Sequence, residues 1–236
     1  MAIQRTEGII LRRQEIRETS LLLTAFTRDL GKIGGLLKGV RGSRAAVPWY
    51  LEPLTLQSMV LYERRRSPWV LVSACDLLHA FDPIRRDLTR TAYASFCLDL
   101  TDAMTEVGDP HPEIFELLLW VLRALEGNAE PRSTARFFEA NLLKACGFLP
   151  APESITLSPG ARISLRQLLE SSGEQVERLR LSHAVEEELR RIFQRVLRGF
   201  LDRELKSRIF LNTIGLENKL EEIGDAAHPY ETARSA

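Results

Sequence analysis

With 236 residues, 44% apolar and 27% charged, the chain has the composition of a globular protein and enough length for two modest folding units with a sizeable core. No apolar run approaches the roughly 20 residues of a membrane span, and Met1–Gln14 carries no cationic, apolar, small-residue leader, so a cytoplasmic protein with no membrane partner is expected. Three widely spaced cysteines, Cys75, Cys97 and Cys146, suit reduced, buried thiols better than a disulfide framework.

The 32 basic residues balance the 32 acidic ones, yet the balance is uneven along the chain. Residues 1–80 hold 12 Lys and Arg against 7 Asp and Glu, and residues 81–236 hold 20 against 25. The first part is therefore +5 and the remainder −5, a modest signal for a phosphate-bearing partner at one end, against which stands ordinary surface charge.

In chain order, Gly8-Ile9-Ile10-Leu11 predicts a first strand, with Arg12-Arg13-Gln14-Glu15 as the turn after it. Thr19–Thr27 predicts a second strand, closed by Thr27-Arg28-Asp29-Leu30-Gly31. Lys32–Val40 contains Gly34, Gly35 and Gly39, which would weaken a helix but mark bends in a third strand. Leu54–Tyr62 alternates with period 2 and predicts a fourth; Arg64–Pro68 breaks the chain; Trp69–Ser73, β-branched and aromatic, predicts a fifth. Five short strands suit an OB-type barrel. The predicted fold class is a multidomain α+β protein, with an N-terminal five-stranded OB-fold β-barrel over residues 1–80 and an all-α helical domain over 81–216, followed by a polar tail at 217–236.

From Asp82 the period changes from 2 to 3.6. Asp82 is read as a cap with Pro83 behind it, and Tyr93, Phe96, Cys97, Leu100, Met104 and Val107 then share a helical face. Gly108–Pro112 separates this helix from a second with the stripe Ile114, Leu117, Leu118, Val121, Leu122 and Leu125, ended by Gly127-Asn128. A third is expected near Pro131–Cys146, burying Phe137, Phe138 and Leu142. The interval 147–163 reads as loop, Ser164 as the cap of a short helix through Glu170, and Ser182 as the start of the longest helical pattern, through Leu205. The opposite face of that helix mixes Glu186, Glu187, Glu188, Arg190, Arg191, Arg195 and Arg198 and reads as solvated, with Glu186 to Arg190 and Glu187 to Arg191 at favourable i, i+4 spacing.

Several of these segments also carry a family resemblance. Glu7–Leu11, Glu18–Leu23, Phe26–Arg28, Gly31–Ile33 and Lys38–Arg41, in that order and spacing, resemble the amino-terminal domain of the RecO family of bacterial recombination mediators. The likeness resumes at Phe137–Leu143, Gly147–Pro150 and Leu205–Leu211 and so covers most of the chain. It implies a DNA repair and recombination protein that binds single- and double-stranded DNA, anneals complementary strands, and works with the RecR protein to load recombinase onto strands coated by single-strand-binding protein, whose acidic, apolar C-terminal tail would dock on the helices. Many members carry a four-cysteine zinc module in the interval 147–163; this chain has neither cysteine nor histidine there, so no metal is expected.

The predicted DNA-binding residues are Arg12 and Arg13 at the end of the first strand, Lys32 and Lys38 on the third strand, and Arg41 and Arg44 in the loop after it, because strands 2 and 3 of an OB barrel and their loops hold single strands. Trp49, Tyr50 and Phe26 are candidate stacking aromatics, with Phe26 read as core and Trp49 left open. Enzymatic chemistry is not supported. Gly31-Lys32-Ile33 fails as a phosphate loop because Phe26 replaces the leading glycine and Ile33 the magnesium-binding hydroxyl. His79, His111, His183 and His228 lie apart, and Glu7, Glu15 and Glu18 read as solvated acids. No cofactor is expected. An RNA-binding OB protein and a protein adaptor that does not anneal remain the alternatives.

Overall fold

A computed structural model describes residues 3–16, 19–40, 48–62, 67–151, 153–171, 175, 177–178, 180–201 and 203–217. Strands β1 (Ile3–Ile16), β2 (Ser20–Thr27), β3 (Gly31–Leu37), β4 (Leu56–Tyr62) and β5 (Val70–His79) close into a barrel of order β1-β2-β3-β5-β4, with β3 and β5 parallel and the other pairs antiparallel. A five-stranded barrel of OB type is what the sequence leads one to expect; the strand order comes from the structure.

The first strand is longer than its apolar run. Arg12–Glu15, read as a turn, is strand, because β1 serves two partners: Ile3–Ile9 pairs with β4 and Gly8–Ile16 with β2. A register shift between Ile10 and Arg12 lets it bend from one to the other. At the bend, Ile10 N–H donates to the Thr55 carbonyl at 3.0 Å and Leu54 N–H donates to the Ile10 carbonyl at 3.2 Å. Those bonds hold Leu54 at φ 63, and β4 accordingly starts at Leu56, two residues later than its pattern. The fifth strand runs beyond Ser73 to His79, while β3 ends at Leu37.

Helices follow: α1 (Asp82–Arg85), α2 (Leu88–Met104), α3 (Pro112–Glu126), α4 (Pro131–Ala145), α5 (Pro159–Glu170), α6 (His183–Arg198) and α7 (Lys206–Thr213). Asp82 starts a single turn, and the cap of α2 is Asp87, which accepts from Arg90 N–H at 2.9 Å. Since α2 stops at Met104, Val107 leaves the buried stripe and is exposed. Ser158, rather than Ser164, caps α5, with Pro159 at the first position where a missing N–H costs nothing. Ser182 caps α6 as expected, but that helix ends at Arg198, shorter than α2. Its polar face is not uniformly solvated: Glu186 and Arg190 are buried, and Arg190 pairs with Glu187 at 2.8 Å instead of with Glu186.

Two apolar clusters organise the molecule. One fills the barrel with Ile10, Leu21, Leu23, Ala25, Ile33, Met59 and Leu61. The other unites the helices with the outer side of the barrel through Ile9, Leu11, Phe26, Leu54 and Leu56. The β2–β3 turn fits tightly into this junction: Gly31 has φ +65, and a Cβ there would lie 1.9 Å from the Asp109 carbonyl oxygen. Among the described residues no helix is long and apolar enough to cross a membrane.

Candidate nucleic-acid interface

Alternation along β2 and β3 sends Leu21, Leu23, Ala25, Ile33 and Leu37 into the barrel and leaves the rows Arg12–Thr24–Gly34 and Gln14–Leu22–Leu36 on its outer surface. At the other end of the same strands the outer surface is covered by helices. The open part is thus a small patch of Arg12, Gln14, Leu22, Thr24 and Gly34, Leu36 being buried, with Lys38 exposed just beyond β3.

The structure brings together two of the predicted cations and separates the rest. Arg12 reaches the Asp102 carboxylate at 2.9 Å, and its side chain is 60% exposed. Lys32 points away from solvent: its Nζ donates to the Asp102 carbonyl at 2.5 Å and lies 3.3 Å from that residue's carboxylate. Asp102 stands in the last turn of α2, so Lys32 caps a helix C-terminus whose carbonyls lack intrahelical partners. Its ammonium is buried against the end of α2, and the phosphate-binding set proposed below is therefore drawn without Lys32. Arg13 pairs with Glu52 elsewhere on the barrel. Arg41 and Arg44 lie outside the described residues.

Of the aromatics, Phe26 is fully buried in the helix-facing cluster, as expected of a core residue. Tyr50 packs against the barrel core, and Trp49, 59% exposed, meets it edge-on with ring centroids 6.2 Å apart. Sequence reasoning missed Trp69, which stands beside β3 on the outer face. The signal lay in the pairing of Gly34 with an aromatic opening the fifth strand, but the parallel contact of β3 with β5 that joins them is non-local and leaves no periodic trace.

Among the described residues, the other candidate reactive groups have neighbours of their own. Burial, helped by Asp76, pushes the Cys75 thiol up to about 12, and burial also raises Cys97 and Cys146, so these thiols are poor nucleophiles. His79 contacts Glu126 at 2.8 Å, and His111 lies between Asp109 and Glu113. Glu7 pairs with Arg28 at 2.8 Å, and Glu18 lies outside the described residues. His183, Glu186 and Glu187 come within 4.8 Å of one another, but Glu186 faces Arg136 at 3.4 Å and Glu187 holds Arg190. On the helical side, a cleft of about 180 Å³ is lined by Leu197, Leu201 and Leu205 with Gln194, Arg198, Arg203 and Glu204, and at its base by the buried Arg208, which pairs with Glu139 at 2.7 Å.

Residues 1–81 match the family model described as the recombination protein O N-terminal region, and residues 85–154 match its C-terminal counterpart. A DNA repair protein RecO from Moorella thermoacetica is 30% identical over 247 residues, covering 90% of this chain and 91% of the relative. The protein of the same name from Pelotomaculum thermopropionicum is 26% identical over 91% of this chain and 96% of its own length. That of Syntrophobacter fumaroxidans is 34% identical over 65% of this chain and 61% of its own length.

Proposed function

The chain belongs to the RecO family, and from that premise we propose that it is a DNA repair and recombination mediator that binds single- and double-stranded DNA and anneals complementary strands. It acts without enzymatic chemistry or a cofactor, in the cytoplasm at the nucleoid. Residues 1–80 form the DNA-binding unit and residues 81–216 the helical unit. With RecR it loads recombinase onto strands coated by single-strand-binding protein. The cleft between α6 and α7, where Leu197, Leu201 and Leu205 lie beside Arg198, Arg203 and Glu204, is the proposed place for that protein's acidic, apolar tail.

The observation that carries this reading is the solvent-facing patch of a closed OB-type barrel that presents Arg12 and Lys38 in the +5 part of the chain. Annealing requires two polyanions to approach each other. A basic barrel surface lowers their repulsion through contacts to phosphates, which carry no sequence information, and so leaves base edges free to pair. Arg12, Arg13, Lys38, Arg41 and Arg44 make up the proposed phosphate-binding set.

Binding to a fluorescent single strand across a salt series, beside the rate at which two complementary strands anneal, tests the reading. Affinity should fall steeply with salt and annealing should accelerate. Replacing Lys38, Arg41 and Arg44 together with Ala should weaken binding and lower the salt slope by about 2, at about 0.7 per phosphate contact on a single strand. An unchanged slope would show that the site lies elsewhere. Weak, salt-insensitive binding with no annealing would favour a protein adaptor, and preference for RNA a translation-associated role.

A further inference from the structure

Trp69 precedes β5, and the parallel pairing of Gly35 with Val70 sets it alongside Gly34 of β3. The indole occupies the space a side chain would take: a Cβ on Gly34 would lie 2.9 Å from Trp69 Cδ1, 3.6 Å from Nε1 and 3.8 Å from Cγ. The Cδ1 edge of the indole thus lies over Gly34, while 39% of the residue stays open to solvent. Trp69 is placed over the strand and half-open to solvent without being consumed by the core. Trp49 differs, since its contact is an edge to the Tyr50 ring, and Trp120 is packed against Phe137.

Gly34 belongs to the row Arg12–Thr24–Gly34, so the indole over Gly34 shares an outer surface with Arg12, and the Gly34 and Arg12 backbones are two strand spacings or about 10 Å apart. Between them the floor is low, formed by the half-buried Thr24 and by a glycine. A cationic wall, a shallow floor and an aromatic wall match the parts of a nucleotide strand: the phosphate to the guanidinium, the base to the indole.

We propose that Trp69 is the base-stacking platform of this barrel and biases it toward single strands over duplex. The proposal rests on the DNA-binding reading above and deepens it. An unpaired base offers a free face to the indole. A base inside a duplex has both faces stacked on neighbours, so it gains nothing from Trp69 until it is extruded, whereas phosphate contacts are open to both forms.

The test compares wild type with Trp69→Ala and Trp69→Phe, using a fluorescent oligothymidine strand and a labelled duplex of equal length. Trp69→Ala should weaken single-strand binding about 5- to 150-fold, the range expected for losing one base–aromatic stack, with the salt slope unchanged because no phosphate contact is lost. Duplex affinity should stay at the wild-type value, and Trp69→Phe should recover most of the loss. Equal affinity of Trp69→Ala and wild type for the single strand, or an equal loss for strand and duplex, would overturn the platform while leaving the DNA-binding reading intact. A wild-type protein that bound neither form would overturn both. In a Trp49→Phe, Trp120→Phe variant, which retains Trp69, the unlabelled single strand should quench the indole emission; absence of quenching would also overturn the platform.

Discussion

The Asp102 carboxylate faces Arg12 and Lys32 together, at 2.9 and 3.3 Å, and so withholds part of the barrel's positive charge from a polyanion. The two cations are not equivalent. Lys32 keeps the main-chain carbonyl of Asp102 whatever the side chain becomes, whereas Arg12 is tied by the carboxylate and otherwise exposed. Asp102→Asn should therefore free Arg12, raise single-strand affinity at low salt, and steepen the salt slope by about 0.7. The loss in stability should be about 1 kcal/mol, because the helix cap survives. Fluorescence anisotropy over a salt series checks the first part; a slope equal to wild type would mean that Asp102 does not withhold Arg12 from phosphate. The cations were legible in the sequence, but the acid that holds two of them was not, since it is 70 residues from Lys32 and nothing in local spacing links them. Gly31 shows the same limit. The turn was readable, yet the need for glycine is set by the Asp109 carbonyl as much as by the positive φ. Gly31→Ala should cost about 2–4 kcal/mol, lowering Tm by roughly 4–16 °C in thermal melts.

Among the elements, α4 bears the heaviest electrostatic burden. Its fully buried Arg136 lies 2.8 Å from Glu139 on the same helix, 3.4 Å from Glu186 on α6 and 2.6 Å from Glu217 after α7, and Arg208 of α7 reaches Glu139 at 2.7 Å. The Arg136 contacts to Glu139 and Glu186 are close in charge but not aligned as hydrogen bonds, whereas those from Arg136 to Glu217 and from Arg208 to Glu139 are. Arg136→Met would leave these carboxylates buried without their central partner and should cost about 3–5 kcal/mol, or at least about 6 °C in Tm. Burial raises the Glu186 carboxyl above its ordinary value in spite of Arg136. A carboxyl whose folded pKa is raised contributes stability that is present below its unfolded pKa and is lost as pH rises through the folded value. Glu186→Gln should thus gain stability relative to wild type between the ordinary carboxylate range and neutrality, as urea titrations at several pH values would show; a difference that did not vary with pH would refute the assignment. The period of α6 was plain in the sequence, but a helical pattern cannot show that a second helix covers part of the polar face, and so Glu186 and Arg190 were read as solvated. The lengths of β1 and β5 were underestimated for a related reason. Alternation reports the buried face, whereas β1 extends wherever β2 and β4 supply backbone partners, even through Arg12–Glu15.

At the scale of the whole molecule, the change of period at Asp82 marks where strands give way to helices, but it does not mark a break in the packing. Ile9, Leu11, Phe26, Leu54 and Leu56 of the barrel lie in the same apolar cluster as Phe96, Phe115, Phe138 and Phe193 of the helices. The polar contacts agree: Lys32 caps α2, Gly108 N–H donates to the Lys32 carbonyl at 2.9 Å, and Arg28 pairs with Glu116 of α3. A barrel unfolding alone would uncover one side of that cluster and strand the Asp102 carboxylate, so neither part should melt without the other. The full chain should then unfold in one transition, with coincident midpoints for far-UV circular dichroism, which follows the helices, and for tryptophan emission, to which Trp49 and Trp69 contribute from the barrel. Separate midpoints would mean that the shared cluster contributes little to cooperativity. Coincident midpoints that both fall in Phe26→Ala would locate the coupling at this junction, because Phe26 reaches from the barrel wall into the helical core and its truncation should cost about 3–5 kcal/mol.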